Sequence, residues 1–585
     1  MLTAAVLLGA ALLVGLGSWA SFRLFGLLSL DRTERLALAL ALYPASLGLA
    51  AFIGLLVGLP GATLPAFLTL VLLPTGWWAG RRAAGDYPAP RLAAPSAQTP
   101  GPTTVPASDP TFGVALRGLG LFVVATLGTV LLTPLSGGAL RIGDWVAHWF
   151  LVLVYHGYPL PDLRVFVNRV GDFGVVSRPP LYNLEGGLLV GALDGQFWPF
   201  QLVGALVGAP IVVVAVLWAR ALGGSAAPRV VAPLCALSPF LAQNTAYPWP
   251  KMVAALLVLL FLYLVRAAVL AREPTRRGQA FVLAAACAGL GYLAHQTTVF
   301  YVLPTLVWLA WRRPRALFRA PLGPTLRTWA TAGLVGVALV APWQLWVVAT
   351  YGLRATVEAN PAWFGADQTD SLTEWLAKGG VAGLGTLVPL PALGALAGGA
   401  VPSVDQLLRI QLALLTGALG VSGCTVLVRA AFRRARRASR FSVGMIPGRL
   451  LRRPPWLLLV ALCGFAGQVM LQPNWHTTGD AAESMTPIVM LCLACVGRQI
   501  ATLGTGARRL FLLAVGAECA LFYGLYLWWA FGAAWTRDPN AVLAVRYGLV
   551  HVRSLSPALG PLGLLLLAAA ALLALDVLRR ALRDQ

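Results

Sequence analysis

Apolar stretches of about 20 residues recur along the whole of this chain, and a helix of that length spans the roughly 30 Å hydrocarbon core of a bilayer. Of the 585 residues, 58% are hydrophobic and 11% are charged, whereas about a quarter of a soluble domain is charged. A chain this apolar needs lipid as its solvent. The sequence therefore predicts an all-α polytopic membrane protein with about 13–15 transmembrane helices.

The predicted spans share high apolarity, and several are short. They lie at 2–20, 36–57, 62–80, 113–132, 198–222, 230–241, 250–270, 280–294, 297–311, 329–348, 407–428, 456–471, 485–500, 510–531 and 559–578. Residues 381–400 remain unassigned. The first span lacks a basic start and a small-residue cleavage site, so we do not expect it to be a removed signal peptide.

Basic residues give the chain a net charge of +23, but their positions argue against a nucleic-acid partner. Arginine clusters fall in alternate loops, and this positive-inside pattern places those loops in the cytoplasm. The predicted sidedness has the N-terminus outside and the C-terminus inside, in a bacterial cytoplasmic membrane. The clusters are Arg32 and Arg35; Arg81 and Arg82; Arg272, Arg276 and Arg277; Arg312, Arg313 and Arg315; Arg433, Arg434, Arg436 and Arg437; Arg508 and Arg509; and Arg579, Arg580 and Arg583.

Most acidic residues fall in the opposite, outer loops. These are Asp144, Asp162, Asp172, Glu185, Glu358, Asp367, Asp370, Glu374, Asp405, Asp480 and Glu483. Carboxylates together with histidines and aromatic residues make the outer face the expected working surface. The alternative, that acids merely avoid the basic cytoplasmic loops, remains open.

The first long outer loop, 134–197, carries the most information. Its segment RIGDWVAHWFLVLVYHGYPLPD (141–162) places Asp144 and His148 four residues apart, on one face of a predicted helix lying in the membrane interface. His148 and His156 are expected on the surface of that interfacial helix. Further along, Pro179 and Pro180 predict an extended segment followed by the start of a helix. Arg178 is expected at the entrance to that helix, just before its first turn.

Later outer loops place single polar residues at the ends of spans. Lys251 begins one span, His295 occupies a tight turn, and His476 lies in QPNWHTTGDAAES. No cluster of His, Asp or Glu has a spacing that predicts a required metal, and the use of a divalent metal remains open.

These residues resemble the GT-C class of membrane glycosyltransferases, in particular bacterial relatives of protein O-mannosyltransferases and of lipid A aminoarabinose transferases. The resemblance rests on Asp144 in GDWVAHW, on Arg178-Pro179-Pro180-Leu181 some thirty residues later, and on the Lys or His at later outer helix ends. It covers roughly residues 133–348. The implied division of the chain is into N-terminal transmembrane helices (1–133, with a Pro-rich cytoplasmic linker at 83–111), a GT-C-like core (134–350) and C-terminal helices and outer loops (351–585).

The resemblance implies an inverting transfer of a sugar from a polyprenyl-phosphate carrier to a glycan, lipid or protein acceptor of the cell envelope, on the outer side of the membrane. In that reading Asp144 is the general base. Fixed cations would stabilise the negative charge that develops on the leaving phosphate. The candidates are Arg178, whose planar fork suits phosphate, Lys251 and His295, and also Arg141, Arg169 and His476.

Other interpretations remain open. Asp144 can serve as a helix-terminal acid, Arg178 and Lys251 as interfacial anchors, and His295 as a partner for backbone groups. The chain also departs from the family: an arginine precedes Pro-Pro-Leu where some relatives have lysine, and additional spans precede the first-loop acid. A surface-polysaccharide polymerase or ligase is the alternative enzyme, and a lipid-linked sugar transporter or flippase is the alternative of another class.

Overall fold

In this computed structural model the described residues are 2–59, 63–85, 110–132, 144–155, 178–188, 190, 193, 197–312, 322–358, 371–387, 455–470, 485–529 and 559–583. Within these ranges the chain is helical, with no β-strand. The helices are α1 Leu2–Leu24, α2 Arg32–Leu56, α3 Thr63–Gly85, α4 Pro110–Leu132, α5 Asp144–Tyr155, α6 Leu181–Gly187, α7 Phe197–Gly208, α8 Ile211–Gly223, α9 Ala227–Leu237, α10 Pro239–Ala246, α11 Lys251–Leu270, α12 Pro274–Ala294, α13 Val299–Arg312, α14 Leu322–Tyr351, α15 Leu353–Glu358, α16 Leu372–Leu387, α17 Pro455–Met470, α18 Thr486–Ala501, α19 Thr505–Trp529 and α20 Gly560–Arg583.

Seven helical segments in the described part are long and apolar enough to cross a membrane, so the protein is an all-α polytopic membrane protein, as predicted. They are α2, 63–82 of α3, 110–131 of α4, the combined α7 and α8, α11, 326–351 of α14, and α20. Four shorter apolar helices accompany them, at 11–27, 227–237, 456–467 and 486–501. The predicted span at 407–428 lies outside the described residues.

Helix α8 forms the centre of the bundle, and Ile211 to Ala219 are completely buried. A helix that is apolar on every side is stable only when other helices cover it all round. Helices α4, α9, α11 and α18 pack against α8 and provide this cover. Outside them, α20 packs on α4, and α12 and α14 extend the bundle beyond α11.

Prolines divide two of the predicted spans. The segment predicted as one helix at 198–222 is two helices, α7 and α8, that meet at Ala209 and Pro210. The one predicted at 230–241 ends as α9 at Leu237 and continues as α10 from Pro239. Proline has no backbone N–H and crowds the preceding turn, so it interrupts a continuous helix. Gly224, with φ of +82°, then ends α8 in a conformation that favours glycine.

The N-terminal helices contact the rest of the bundle directly. Helix α2 packs against α6, and α4 packs against α8, α9 and α20. A Cβ on Gly48 of α2 would lie 2.9 Å from Cγ of Glu185. The absence of a side chain at Gly48 therefore allows α6 to pack closely against α2. The division of the chain at residue 133 stays a prediction.

One end of the bundle is held by a polar cluster formed by Asp31, Glu34, Arg220, Tyr263 and Arg276. Asp31 and Glu34 form a capping box at the start of α2. Arg220 lies 2.6 Å from the Asp31 carboxylate, Arg276 lies 3.7 Å from that of Glu34, and the Tyr263 hydroxyl donates to Glu34 at 2.9 Å. The cluster brings together ends of α2, α8, α11 and α12, all of which the predicted sidedness puts at the cytoplasmic face.

Replacing Arg220 with methionine is expected to lower the thermal stability of the detergent-solubilised protein. Arg220 lies 2.6 Å from the Asp31 carboxylate and 4.0 Å from that of Glu34, which is 4% exposed. Removing Arg220 leaves this negative charge poorly compensated, at a cost on the order of 2 kcal/mol for these partly exposed pairs. Tryptophan fluorescence during heating measures the effect. The control is Arg580→Met, which breaks an exposed Arg580–Asp576 pair within α20; equal shifts for the two variants would contradict the cluster's role.

Candidate active site

An aromatic cluster docks α5 and α6 onto α7. Trp149 of α5 lies 5.4 Å from Phe197 and 5.8 Å from Phe200, measured between ring centroids. Tyr182 of α6 lies 5.6 Å from Phe200 in an edge-on arrangement. Such aromatic pairs bury large areas and have preferred geometries. The cluster therefore fixes how these two short helices, both within the predicted first outer loop, face each other.

A chain of hydrogen bonds runs between those helices, from Arg178 through His148 to Asn183. Nη1 of Arg178 is 2.8 Å from Nε2 of His148, and Nδ1 of His148 is 2.9 Å from Oδ1 of Asn183. A guanidinium can only donate, so Nε2 must accept and the proton of a neutral imidazole lies on Nδ1. That proton is donated to Asn183. We call these three residues the Arg178–His148–Asn183 chain.

The sequence prediction for His148 was wrong. It placed His148 on the surface of an interfacial helix, whereas the side chain is 2% exposed and is enclosed by α5 and α6. Trp149, Leu151, Val152 and Tyr155 of α5 are buried as well, so the helix is covered on more than one face. Docking of α6 and α7 provides that cover. His156 lies outside the described residues.

Arg178 lies just before a helix, separated from it by Pro179 and Pro180. Helix α6 begins at Leu181, directly after Pro180, and the Leu184 N–H donates to the Pro180 carbonyl at 3.0 Å. The helix start predicted from the two prolines is therefore present. The contact with His148 fixes the plane of the half-buried guanidinium, and a fixed plane is what fork-like recognition of a phosphate requires.

Asp144, the predicted base, is the first residue of α5 and lies four residues before His148. One helical turn separates the two positions, so Asp144 belongs to the same helix face as the imidazole that contacts Arg178. Its side chain is outside what the structure describes. Arg141, Arg169 and His476 also lie outside the described residues.

Lys251 and His295 occupy helix ends. Lys251 begins α11, and its Nζ lies 4.2 Å from the centre of the Trp249 ring, a cation–π arrangement. His295 follows the last residue of α12, and its Nδ1 accepts from the Thr297 N–H at 3.2 Å. In the neutral imidazole the proton then lies on Nε2, which is a donor. The turn formed by 296–298 packs against α11 and α12, so Lys251 and His295 sit on neighbouring helices.

Two further residues belong to the site: Asn183, which sequence reasoning did not single out, and Glu185, which it named only among the acids of the outer loops. Asn183 is completely buried and Glu185 is 1% exposed. Burial disfavours the charged carboxylate and raises the pKa of Glu185 to about 8. The available signal was the segment LYNLEGG itself, which places an amide and a carboxyl in an otherwise apolar helix. The described residues contain no group of three His, Cys, Asp or Glu side chains arranged to hold a metal ion.

Residues 177–346 match the model of the dolichyl-phosphate-mannose-protein mannosyltransferase family. The chain resembles a GT-C glycosyltransferase. The match confirms the resemblance drawn from the sequence and indicates a membrane glycosyltransferase of the GT-C type. The specific likeness to lipid A aminoarabinose transferases stays a prediction.

The matched part runs from the residue before Arg178 to Trp346 of α14, so it includes Lys251 and His295, while Asp144 lies upstream of it. No curated protein and no solved structure matches the chain. The site's geometry, rather than a characterised relative, therefore has to support any finer assignment.

The raised pKa of Glu185 predicts how stability depends on pH. An unfolded glutamate ionises near 4.5 and the folded one at about 8, so the folded state holds an extra proton between these values. Stability contributed by this group should therefore fall as pH rises from about 4.5 to about 8. Thermal unfolding measured across that range should be less pH-dependent for Glu185→Gln than for the wild type.

The control is Glu374→Gln, at a half-exposed position of α16. Its pH profile should match that of the wild type. If Glu185→Gln left the profile unchanged as well, the buried carboxyl would be ionised at neutral pH, and the description of its surroundings would be incorrect.

Proposed function

We propose that this protein transfers a sugar from a polyprenyl-phosphate carrier to an acceptor of the cell envelope, on the outer side of the bacterial cytoplasmic membrane and with inversion at the anomeric carbon. The observation that carries this proposal is the Arg178–His148–Asn183 chain. It presents an oriented arginine beside the helix that begins with Asp144, at the edge of the segment that matches the mannosyltransferase family.

In the proposed reaction, the acceptor hydroxyl attacks the anomeric carbon of the donor. A new carbon–oxygen bond to the acceptor forms while the bond from that carbon to the carrier's phosphate oxygen breaks. The hydroxyl proton passes to the carboxylate of Asp144, which acts as general base. The electron pair of the broken bond leaves with the phosphate, so negative charge develops there as the sugar departs.

Arg178 supplies the fixed positive charge for that phosphate. Preorganised cations stabilise developing charge most effectively where water is excluded, and the imidazole that orients Arg178 is buried. Lys251 would add a point charge and His295 an N–H donor from the neighbouring helix ends. Arg141, Arg169 and His476 remain candidates for the same task. The carrier's isoprenoid tail would stay in the surrounding lipid, so a site beside membrane-spanning helices suits a lipid-linked donor.

Replacing Asp144 with asparagine tests the assignment of the base. The amide keeps the size of the side chain but is a poor proton acceptor, so transfer should fall by about 10²-fold or more while the protein still folds. The assay supplies polyprenyl-phosphate sugars to proteoliposomes together with an envelope extract and detects the glycosylated product by mass spectrometry. Asp162→Asn, at another acid of the same loop, is the matched control.

Three results would count against this proposal. Near-full activity of Asp144→Asn would remove Asp144 as the base. Movement of the intact donor across the bilayer without covalent transfer would favour a flippase. Elongation of a glycan chain, in place of addition of one sugar, would favour a polymerase.

Replacing Arg178 with lysine tests the need for an oriented fork. Lysine keeps the charge but lacks the planar pair of donors, and its shorter reach loses the contact with His148. We expect the KM for the lipid-linked donor to rise about tenfold or more. The control is Arg229→Lys at an exposed position of α9, which should behave as the wild type. Unchanged kinetics for Arg178→Lys would show that any cation suffices there.

A further inference from the structure

Six side chains on three neighbouring helices each carry a buried polar atom with no hydrogen-bond partner in the described part of the chain. All six are polar side chains in an otherwise apolar bundle, and they lie on α6, α7 and α10. The atoms are the Tyr182 hydroxyl, Asn183 Nδ2, Glu185 Oε2, Gln201 Oε1, Asn244 Nδ2 and the Thr245 hydroxyl.

Such a concentration needs a physical explanation. Buried polar groups in folded proteins are almost always hydrogen-bonded, because leaving one unsatisfied forfeits its interactions with water. Each of the six side chains is 3% exposed or less. Groups other than the described part of the protein must therefore meet these atoms: ordered water, the polar groups of a ligand or residues outside the described ranges.

Helices α6 and α10, which carry five of the six side chains, both pack against α7. Gln201, Gly204 and Gly208 recur along one face of α7 at helical spacing. The Tyr182 hydroxyl from α6 lies against Gly204, in the space that a Cβ would take. The Thr245 methyl from α10 would lie 3.2 Å from a Cβ on Gly208, and Gln201 Nε2 donates to the Ala246 carbonyl at 3.3 Å. We call the six polar side chains along these contacts the polar seam.

The polar seam is continuous with the proposed phosphate-binding group at one end. Asn183 belongs to both: its Oδ1 accepts from His148, which in turn contacts Arg178, while its Nδ2 is one of the six unpaired atoms. At the other end, the Asn244 carbonyl accepts from Trp249 Nε1 at 3.3 Å, and Lys251 lies over that indole ring. Cationic side chains therefore stand near both ends of the seam.

We propose that the polar seam binds the sugar of the lipid-linked donor, a neutral polyhydroxylated ring, while Arg178 holds the phosphate to which that sugar is attached. This inference rests on the proposed function. A sugar presents hydroxyls that both donate and accept, and the seam offers the complementary mixture of amide N–H, amide oxygen, hydroxyl and carboxyl groups. A site built to pair with hydroxyls rejects ligands that lack them, because its own groups then stay unsatisfied.

The experiment compares two probes on purified protein in nanodiscs. One probe is undecaprenyl phosphate, which carries no sugar. The other is a panel of undecaprenyl-phosphate hexoses and pentoses. The wild type should bind at least one sugar-bearing lipid more tightly than the sugarless one. Gln201→Leu and Thr245→Val should each weaken binding of that lipid by about tenfold and leave binding of undecaprenyl phosphate unchanged.

Matched controls separate this effect from general disturbance. Gln499→Leu makes the same substitution at an exposed position of α18, and Thr75→Val does so at an exposed position of α3. Both should bind the two probes as the wild type does. Gly204→Ala, which displaces the Tyr182 hydroxyl, should reproduce the sugar-selective loss, whereas Gly120→Ala, where no atom lies within 4 Å of the added Cβ, should not.

Distinct outcomes would overturn the inference. If the seam variants weakened binding of both probes equally, the seam would be structural. If they changed neither affinity and raised thermal stability, the seam would hold only water. If no sugar-bearing lipid bound more tightly than undecaprenyl phosphate to the wild type, no sugar site would exist. Sugar-selective binding without transfer to any acceptor would instead defeat the proposed function while the seam's assignment stood.

Discussion

The docking of α5 against α6 is the contact on which the site depends, and its centre is a buried imidazole between a cation and an amide. His148 accepts from Arg178 at one nitrogen and donates to Asn183 from the other. A turn of the ring breaks both contacts, and a second proton breaks the one with Arg178, because a protonated Nε2 cannot accept. The aromatic cluster of Trp149, Tyr182, Phe197 and Phe200 is what keeps the two helices in register.

The bundle places different polar chemistry at its two ends, with the apolar, buried stretch 211–219 of α8 between them. At one end, Asp31, Glu34, Arg220 and Arg276 form ion pairs that, together with the Tyr263 hydroxyl, hold four helices together. At the other, the Arg178 guanidinium contacts the imidazole of His148, which lies one helical turn along α5 from Asp144. We assign the chemistry to that end because it places an arginine beside the helix that begins with the proposed base.

Sequence reasoning predicted the features that depend on local pattern. Apolar length indicated the spans, arginine spacing indicated which loops share a side, and the Pro179–Pro180 pair indicated the start of α6. Pattern also identified Arg178, Lys251 and His295 as charged or polar groups at helix ends. It did not separate α7 from α8, because the apolar run continues through Pro210. A prediction of spans from hydropathy gives little weight to the one backbone N–H that a proline lacks.

The interior of the site could not be predicted in the same way. His148 and Asn183 are 35 residues apart, and one sequence gives no indication of which distant residues meet. Since His148 lies beside tryptophans at helical spacing, an interfacial surface was the natural interpretation, and only the packing of α6 and α7 makes it a buried link. Gln201 and Thr245 likewise resemble incidental polar residues until the helices that carry them are seen to pack together.

A structure determined by electron cryomicroscopy in nanodiscs containing undecaprenyl phosphate would test the central claim most directly. The account predicts density for a phosphate within hydrogen-bonding distance of the Arg178 guanidinium, with the contact between Arg178 and His148 retained and the isoprenoid chain leading into lipid. A phosphate bound at the opposite end, beside Arg220 and Arg276, with none at Arg178, would contradict it.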